Sequence, residues 1–146
     1  MSGEVSPVEN LKGAASLFLG LALFWSASIW AGHGTDDDVV TVAVEQVKAL
    51  LDAREKIILI DLRPSGDFQR TRLPGARSVP IKELPRRYTE IPRSGRVVLY
   101  CDCPQNQIID DAYLLLKDYG YRNTAVMSDG FQAWVQRKYP LETGRR

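Results

Sequence analysis

Three short and largely apolar runs constrain the fold of this chain more than any other feature of its sequence. They occupy residues 57–60, 97–100 and 124–127. Each has the length and composition of a strand that is buried on both faces. Stretches with helical spacing of apolar residues precede or follow them, at 44–53, 108–119 and 130–137. Because strands that alternate with helices pair in parallel, the pattern predicts an α/β fold with a mostly parallel sheet between helices.

Length and charge limit the function classes. The 146 residues suit one domain with an extension. Nineteen basic and 18 acidic side chains leave a net charge of +1. Nucleic-acid-binding domains usually carry a basic excess on one face, so we expect no nucleic-acid partner.

The two cysteines, Cys101 and Cys103, are separated by a single residue. They are too few for the disulfide framework of a small secreted fold. A structural zinc site needs three or four protein ligands, and His33 is the only histidine in the chain. We therefore expect no bound metal or other cofactor, and interpret the cysteines as a site of chemistry.

Residues 14–32 contain no charged side chain. In a helix rising about 1.5 Å per residue, this stretch is nearly long enough to cross a hydrocarbon core of about 30 Å. Its two tryptophans, Trp25 and Trp30, lie toward one end, where aromatic rings favour the membrane interface. The expectation is a membrane anchor, with a cleaved signal segment or a buried helix as alternatives.

The remaining boundaries follow from this segment. We expect an N-terminal tail at 1–13, a linker at 33–38, a folded domain at 39–142 and a short tail at 143–146. Lys12 precedes the apolar segment and the next basic residue is Lys48. By the positive-inside tendency the domain then lies on the extracytoplasmic side of the membrane. Cleavage of the segment would instead make the domain secreted or periplasmic.

The most distinctive polar residues come at the ends of two predicted strands. In parallel sheets, ligands bind beyond the carboxyl ends of the strands. The first strand runs into Asp61 and Arg63, and the second runs into Cys101, ahead of a predicted helix. Unpaired N–H groups and the helix dipole at such a position favour a thiolate over a thiol. Cys101 is thus a candidate nucleophile.

Four motifs in order give the chain a resemblance to the rhodanese homology domain. The first is Asp61-Leu-Arg63 after a strand, with Asp67-Phe68 following, and the second is Leu73-Pro-Gly-Ala76 with Val79-Pro80. The third is the apolar strand ending at Cys101, and the fourth is Asp129-Gly-Phe-Gln-Ala-Trp134. The resemblance covers residues 39–141 and implies a rhodanese-like fold.

The resemblance also implies a mechanism. A family cysteine accepts sulfane sulfur from a donor such as thiosulfate, becomes a persulfide, and passes the sulfur to a thiol or cyanide. That role falls on Cys101, or on Cys103 if the register follows the helix spacing typical of the family. Asp61 is expected to support the strand end. The substrate-binding residues would be Arg63, Arg72, Asp102, Pro104, Gln105, Asn106 and Gln107.

The loop after Cys101 departs from the family pattern. No Arg, Gly or Ser lies between Cys101 and Ile109, and Asp102 adds a charge that repels an anionic donor. Three functions therefore stay open. They are a membrane-tethered sulfurtransferase, a non-catalytic rhodanese-fold module that binds a protein partner or a small anion, and a dithiol redox or soft-metal protein using both cysteines.

Overall fold

The computed structural model describes residues 38–102 and 107–144, with residue 107 described by its backbone alone. The apolar segment 14–32 and nearly all of the predicted linker lie outside these ranges. Within them, no helix has both the length and the apolar character needed to cross a bilayer. The membrane anchor therefore stays a prediction.

The domain is an α/β fold with a five-stranded parallel sheet, as the sequence pattern predicts. The strands are β1 Thr41–Val42, β2 Ile57–Asp61, β3 Thr71–Arg72, β4 Arg77–Ser78, β5 Arg96–Tyr100, β6 Thr124–Met127 and β7 Glu142–Thr143. The helices are α1 Val44–Asp52, α2 Ser65–Arg70, α3 Leu84–Arg87, α4 Gln107–Asp118 and α5 Gly130–Gln136. A 3-10 turn at Tyr88–Glu90 extends α3. The order in the main sheet is β1-β6-β5-β2-β4.

The three apolar runs form the centre of this sheet. All four residues of 97–100 and of 124–127 are buried, as are Leu59 and Ile60 in β2. Strand β5 pairs with β2 on one side and β6 on the other, so helices can cover both of its faces. This arrangement explains why the runs lack the polar alternation of half-exposed strands.

Helix α4 packs on the sheet through a stripe of four buried residues. They are Ile109, Ala112, Tyr113 and Leu116. The predicted helical stretch 108–119 extends to Tyr119, but this residue is 37% exposed and stacks on Tyr88, with ring centroids 4.1 Å apart. The difference arises because the helix ends at Asp118 and Gly120, at φ +85°, turns the chain away.

A second, two-stranded sheet pairs β3 with β7 in antiparallel fashion. Glu142 in β7 accepts a hydrogen bond from Arg72 at 3.2 Å and another from the Gly75 N–H at 3.0 Å. Two-residue strands carry no detectable periodicity, so the sequence did not predict this sheet.

Candidate active site

The two polar strand ends lie side by side at the carboxyl edge of the main sheet. Strands β2 and β5 are neighbours, with Asp61 opposite Tyr100 in the register. The Leu62 N–H continues the ladder by donating to the Tyr100 carbonyl at 2.9 Å. The residues that follow, Arg63 and Cys101, therefore leave the sheet at the edge where open α/β folds bind ligands.

Cys101 is the first residue after the central strand β5. Its side chain is 3% exposed and belongs to the main apolar core. Its carbonyl accepts a hydrogen bond from the Phe131 N–H at 2.8 Å, which joins the end of β5 to the first turn of α5. Cys101 is disulfide-bonded in this structure, and the sequence contains one other cysteine, Cys103.

Gly130 allows this close approach of α5 to Cys101. Its φ of +67° lies in the left-handed region that favours glycine. A Cβ atom at this position would lie 2.9 Å from the Cys101 carbonyl oxygen, closer than real Cβ contacts. Glycine at position 130 is therefore needed to place the carbonyl of Cys101, since a larger residue would push the two segments apart.

Asp102 lies beyond Cys101 on the exposed side of the strand end. Its carboxylate oxygen Oδ2 accepts a hydrogen bond from Nε2 of Gln132 at 2.7 Å. Helix α5 thus contacts both residues, holding the Cys101 backbone through Phe131 and the Asp102 side chain through Gln132. These two contacts fix the start of the loop.

The neighbouring strand end is filled by a buried ion pair between Asp61 and Arg63. Their side chains are 0% and 4% exposed. Asp61 Oδ2 accepts from Nη2 of Arg63 at 2.6 Å, and Oδ1 accepts from Nε at 3.0 Å and from the Arg63 backbone N–H at 2.9 Å. Nη2 also donates to the Thr71 carbonyl at 2.7 Å. These contacts satisfy the carboxylate and hold the guanidinium inside the domain.

Two aromatic rings complete this network. The guanidinium of Arg63 lies 3.5 Å from the ring centroid of Phe131 and 5.8 Å from that of Tyr100. Burial disfavours the charged guanidinium, but the hydrogen bonds and charge of Asp61 outweigh it and raise the pKa of Arg63. Burial, with the adjacent Asp61 carboxylate, raises the pKa of Tyr100. Arg63 therefore stays charged and Tyr100 stays neutral across the physiological range, as suits a static support.

Arg72 lies in β3 and contacts other partners. Its Nε pairs with Glu142 at 3.2 Å, and its guanidinium lies 4.9 Å from the ring centroid of Phe68. Nη1 donates to the Phe68 carbonyl at 3.5 Å. These contacts use its charge within the small β3–β7 sheet.

The other predicted site residues come from the segment after Asp102. Cys103, Pro104, Gln105 and Asn106 lie outside the described residues, and Gln107 is known only as the first residue of α4. In 38–102 and 107–144, no group of His, Cys, Asp or Glu side chains is arranged to hold a metal ion. The choice between Cys101 and Cys103 as nucleophile stays a prediction.

Phe131 and Gln132 are members of the Asp129–Trp134 motif, but the sequence predicted no role for either at the site. The structure brings both to the site, because the first turn of α5 packs against the end of β5. The signal that could have found them is the Asp129-Gly130 pair. A glycine between an acid and an apolar helix marks a close backbone approach.

The chain is similar in sequence or in structure to several known proteins. Two curated relatives match part of the chain. An HTH-type transcriptional regulator of Mycobacterium tuberculosis is 31% identical over 113 residues, covering 76% of this chain and 47% of the relative. A sulfurtransferase of Allochromatium vinosum is 28% identical over 97 residues, covering 66% of this chain and 89% of the relative.

A solved thiosulfate sulfurtransferase from Pseudomonas aeruginosa superposes with a TM-score of 0.62 at 32% identity. The match covers 73% of this chain and 21% of that protein, so this chain corresponds to a fraction of it. The family of rhodanese-like domains matches residues 43–137, a range that begins at α1 and ends just after α5. This range takes in both strand ends and the helix that joins them, and on this ground the chain belongs to the rhodanese-like domain family.

Proposed function

We propose that the domain is a sulfurtransferase that carries sulfane sulfur on Cys101. The observation that supports it most is the position of this cysteine, at the end of the central strand and fixed through its carbonyl by Phe131. Two of the proteins to which this chain is similar are also sulfurtransferases. Cys101 also leaves the sheet at the edge where open α/β folds bind ligands, and the dipole of a helix that follows a cysteine favours its thiolate.

The proposed reaction has two steps. With thiosulfate, the Cys101 thiolate attacks the outer sulfur, a new S–S bond forms and sulfite leaves with the electron pair of the broken bond. An acceptor thiolate then attacks the outer sulfur of the persulfide, and the Cys101 thiolate leaves. Neither step needs an external oxidant or reductant once Cys101 is reduced.

An enzymatic turnover assay tests this proposal. It uses the full 146-residue chain, which is purified in detergent and reduced. The protein is supplied with thiosulfate or an alkyl persulfide and with cyanide, and thiocyanate is measured. We expect multiple turnovers in the wild type and none with Cys101→Ser. Absence of thiocyanate with every donor, in a folded and reduced protein, would refute the activity.

A redox function is a second candidate, supported by the disulfide at Cys101. In that case two thiols lose two hydrogens to an oxidant disulfide, which is reduced to two thiols. The two candidate reactions change the mass of the protein differently. Sulfur transfer adds about 32 Da to one cysteine, whereas dithiol oxidation removes about 2 Da and leaves no persulfide.

We further propose that residues 14–32 attach the domain to a membrane, with the domain on the extracytoplasmic side. The uncharged stretch and its two tryptophans support this location. Protease treatment of intact cells and of spheroplasts tests it. Retention in the membrane fraction together with cleavage only in spheroplasts is expected, whereas a soluble protein of reduced mass would indicate a cleaved signal.

A further inference from the structure

We infer that Asp102 is a specificity-determining residue, which favours uncharged or cationic sulfur donors over anions such as thiosulfate. This inference rests on the proposed sulfurtransferase function and names its donor class. Asp102 places a fixed negative charge next to the sulfur-accepting Cys101. The two arginines predicted to bind substrate, Arg63 and Arg72, pair with other residues.

The charge of Asp102 is held in place without being neutralised. Its side chain is exposed, and Oδ2 accepts the 2.7 Å hydrogen bond from the Gln132 amide. An amide is neutral, so this bond limits the rotation of the carboxylate and leaves its charge unchanged. In the part of the chain that the structure describes, Asp102 forms no ion pair.

The cations that would compensate for this charge are committed elsewhere. Arg63 is buried against Asp61, Thr71 and the face of Phe131, and Arg72 pairs with Glu142. By sequence, residues 103–106 contain neither lysine nor arginine. A donor that approaches Cys101 therefore meets one fixed negative charge that these residues do not offset.

This charge has different effects on different donors. Thiosulfate is a dianion, and its approach to a thiolate beside a carboxylate is opposed by both charges. An alkyl persulfide R–S–SH reacts differently: the Cys101 thiolate attacks its terminal sulfur, Cys101–S–SH forms, and R–S⁻ leaves. If R carries an ammonium group, Asp102 attracts the donor instead of repelling it.

A matched donor series tests the inference. Three ethyl persulfides that carry an ammonium, a hydroxyl or a sulfonate group react by the same step and differ by one charge unit each. The rate constant for the 32 Da gain is measured on reduced wild-type protein, on Asp102→Asn and on Asp118→Asn. Since every variant meets the same three donors, intrinsic donor reactivity cancels when variants are compared.

The control lies at the other end of α4. Asp118→Asn removes the same charge from an exposed position, and Gln107–Asp118 spans about 16 Å, more than a Debye length of about 10 Å at 0.1 M salt. We expect Asp102→Asn to lower the cation-to-anion rate ratio about fivefold and Asp118→Asn to leave it unchanged. High salt should compress the wild-type ratio toward that of Asp102→Asn.

A second variant guards against a loop that fails to fold after the first change. Gln132→Arg keeps Asp102 and supplies a cation to its carboxylate, so it should also lower the cation-to-anion ratio. Persulfide formation with the same ratio in wild type, Asp102→Asn and Gln132→Arg would overturn the inference while leaving the sulfurtransferase function intact. No mass gain with any donor would overturn both.

Discussion

The carboxyl ends of β2 and β5 are adjacent in the sheet but have opposite character. The β2 end holds Asp61 and Arg63, both buried, with each carboxylate oxygen bonded to the guanidinium. The β5 end holds a buried cysteine followed by Asp102, an exposed carboxylate bonded to a neutral amide. One end has its charges paired inside the domain, and the other presents a charge to solvent.

A position at the ligand-binding edge of the sheet therefore does not by itself give a residue a chemical role. Arg63 donates through Nε and Nη2 to Asp61 and Thr71, so these contacts of the guanidinium lie within the fold and support its neighbours. Arg63 supports the β5 end indirectly, because it packs on the ring of Phe131, whose N–H holds the Cys101 carbonyl. We therefore expect changes at the β2 end to affect stability and changes at the β5 end to affect sulfur transfer.

The largest effect on stability is expected at the β2 end. Arg63→Met leaves the buried Asp61 carboxylate without its cation, and should lower the free energy of unfolding by about 4 kcal/mol. Urea denaturation measures this change. The double variant Asp61→Asn, Arg63→Met should lose less than the single one, because no charge is left unpaired. Arg70→Met, which breaks an exposed pair with Asp67, should have no measurable effect. Equal losses for Arg63→Met and Arg70→Met would contradict the account.

The next largest effect is expected at Gly130, on both stability and the rate of sulfur transfer. Gly130→Ala adds a Cβ against the Cys101 carbonyl at a positive φ, and should cost about 2 kcal/mol of stability. Because the carbonyl must move, sulfur acceptance by Cys101 should also slow at least about tenfold. Gly66→Ala is the control, since a Cβ there meets nothing within 4 Å and the residue is helical. Unchanged stability and rate in Gly130→Ala would show that the close approach is unimportant.

A smaller effect is expected from the ring that links Arg63 to Cys101. Phe131→Leu keeps an apolar side chain and the N–H donor, but removes the contact with the guanidinium at 3.5 Å. We expect a loss of about 1 kcal/mol beyond that of Phe68→Leu, where the cation is Arg72 at 4.9 Å and is more exposed. Thermal denaturation of the two variants gives the comparison, and equal losses would remove the support assigned to Arg63.

The smallest effect is expected at Arg87, an arginine of α3 whose acidic partners Glu83 and Glu90 are exposed. Hydrogen bonds from Arg87 lower the pKa of Glu90 below its ordinary value of 4.5. The folded state therefore gains stability above that pH, and loses it as the pH falls through the lower folded pKa. Arg87→Ala should reduce the acid dependence of the urea midpoint below about pH 5, and leave sulfur transfer at pH 7 unchanged. A variant with the acid dependence of the wild type would show that this exposed pair has no role.

Most of the fold could be predicted because its central strands are long enough to show a pattern. The runs at 57–60, 97–100 and 124–127 lie within strands β2, β5 and β6, and the predicted helical stretch at 108–119 overlaps α4. The β3–β7 sheet could not be predicted, since two residues have no periodicity and their partners lie about 70 residues apart in the chain.

The site was only partly predictable. The motifs located Cys101, Asp61 and Arg63 at strand ends, since these follow directly from apolar runs. The partners of each side chain depend on tertiary packing, which no spacing reveals. That the Phe131 ring lies on the guanidinium of Arg63, and that Gln132 reaches Asp102, became visible only from the structure.

The role of Cys101 as the sulfur carrier is best tested by locating the transferred sulfur in the chain. The reduced full-length chain is treated with an alkyl persulfide, and peptide mass spectrometry is applied to the wild type, Cys101→Ser and Cys103→Ser. We expect a gain of about 32 Da on the Cys101 peptide in the wild type and in Cys103→Ser, and none in a folded Cys101→Ser. A gain that persists in Cys101→Ser and disappears in Cys103→Ser would contradict it, and would move the sulfur carrier from the end of β5 into the following loop.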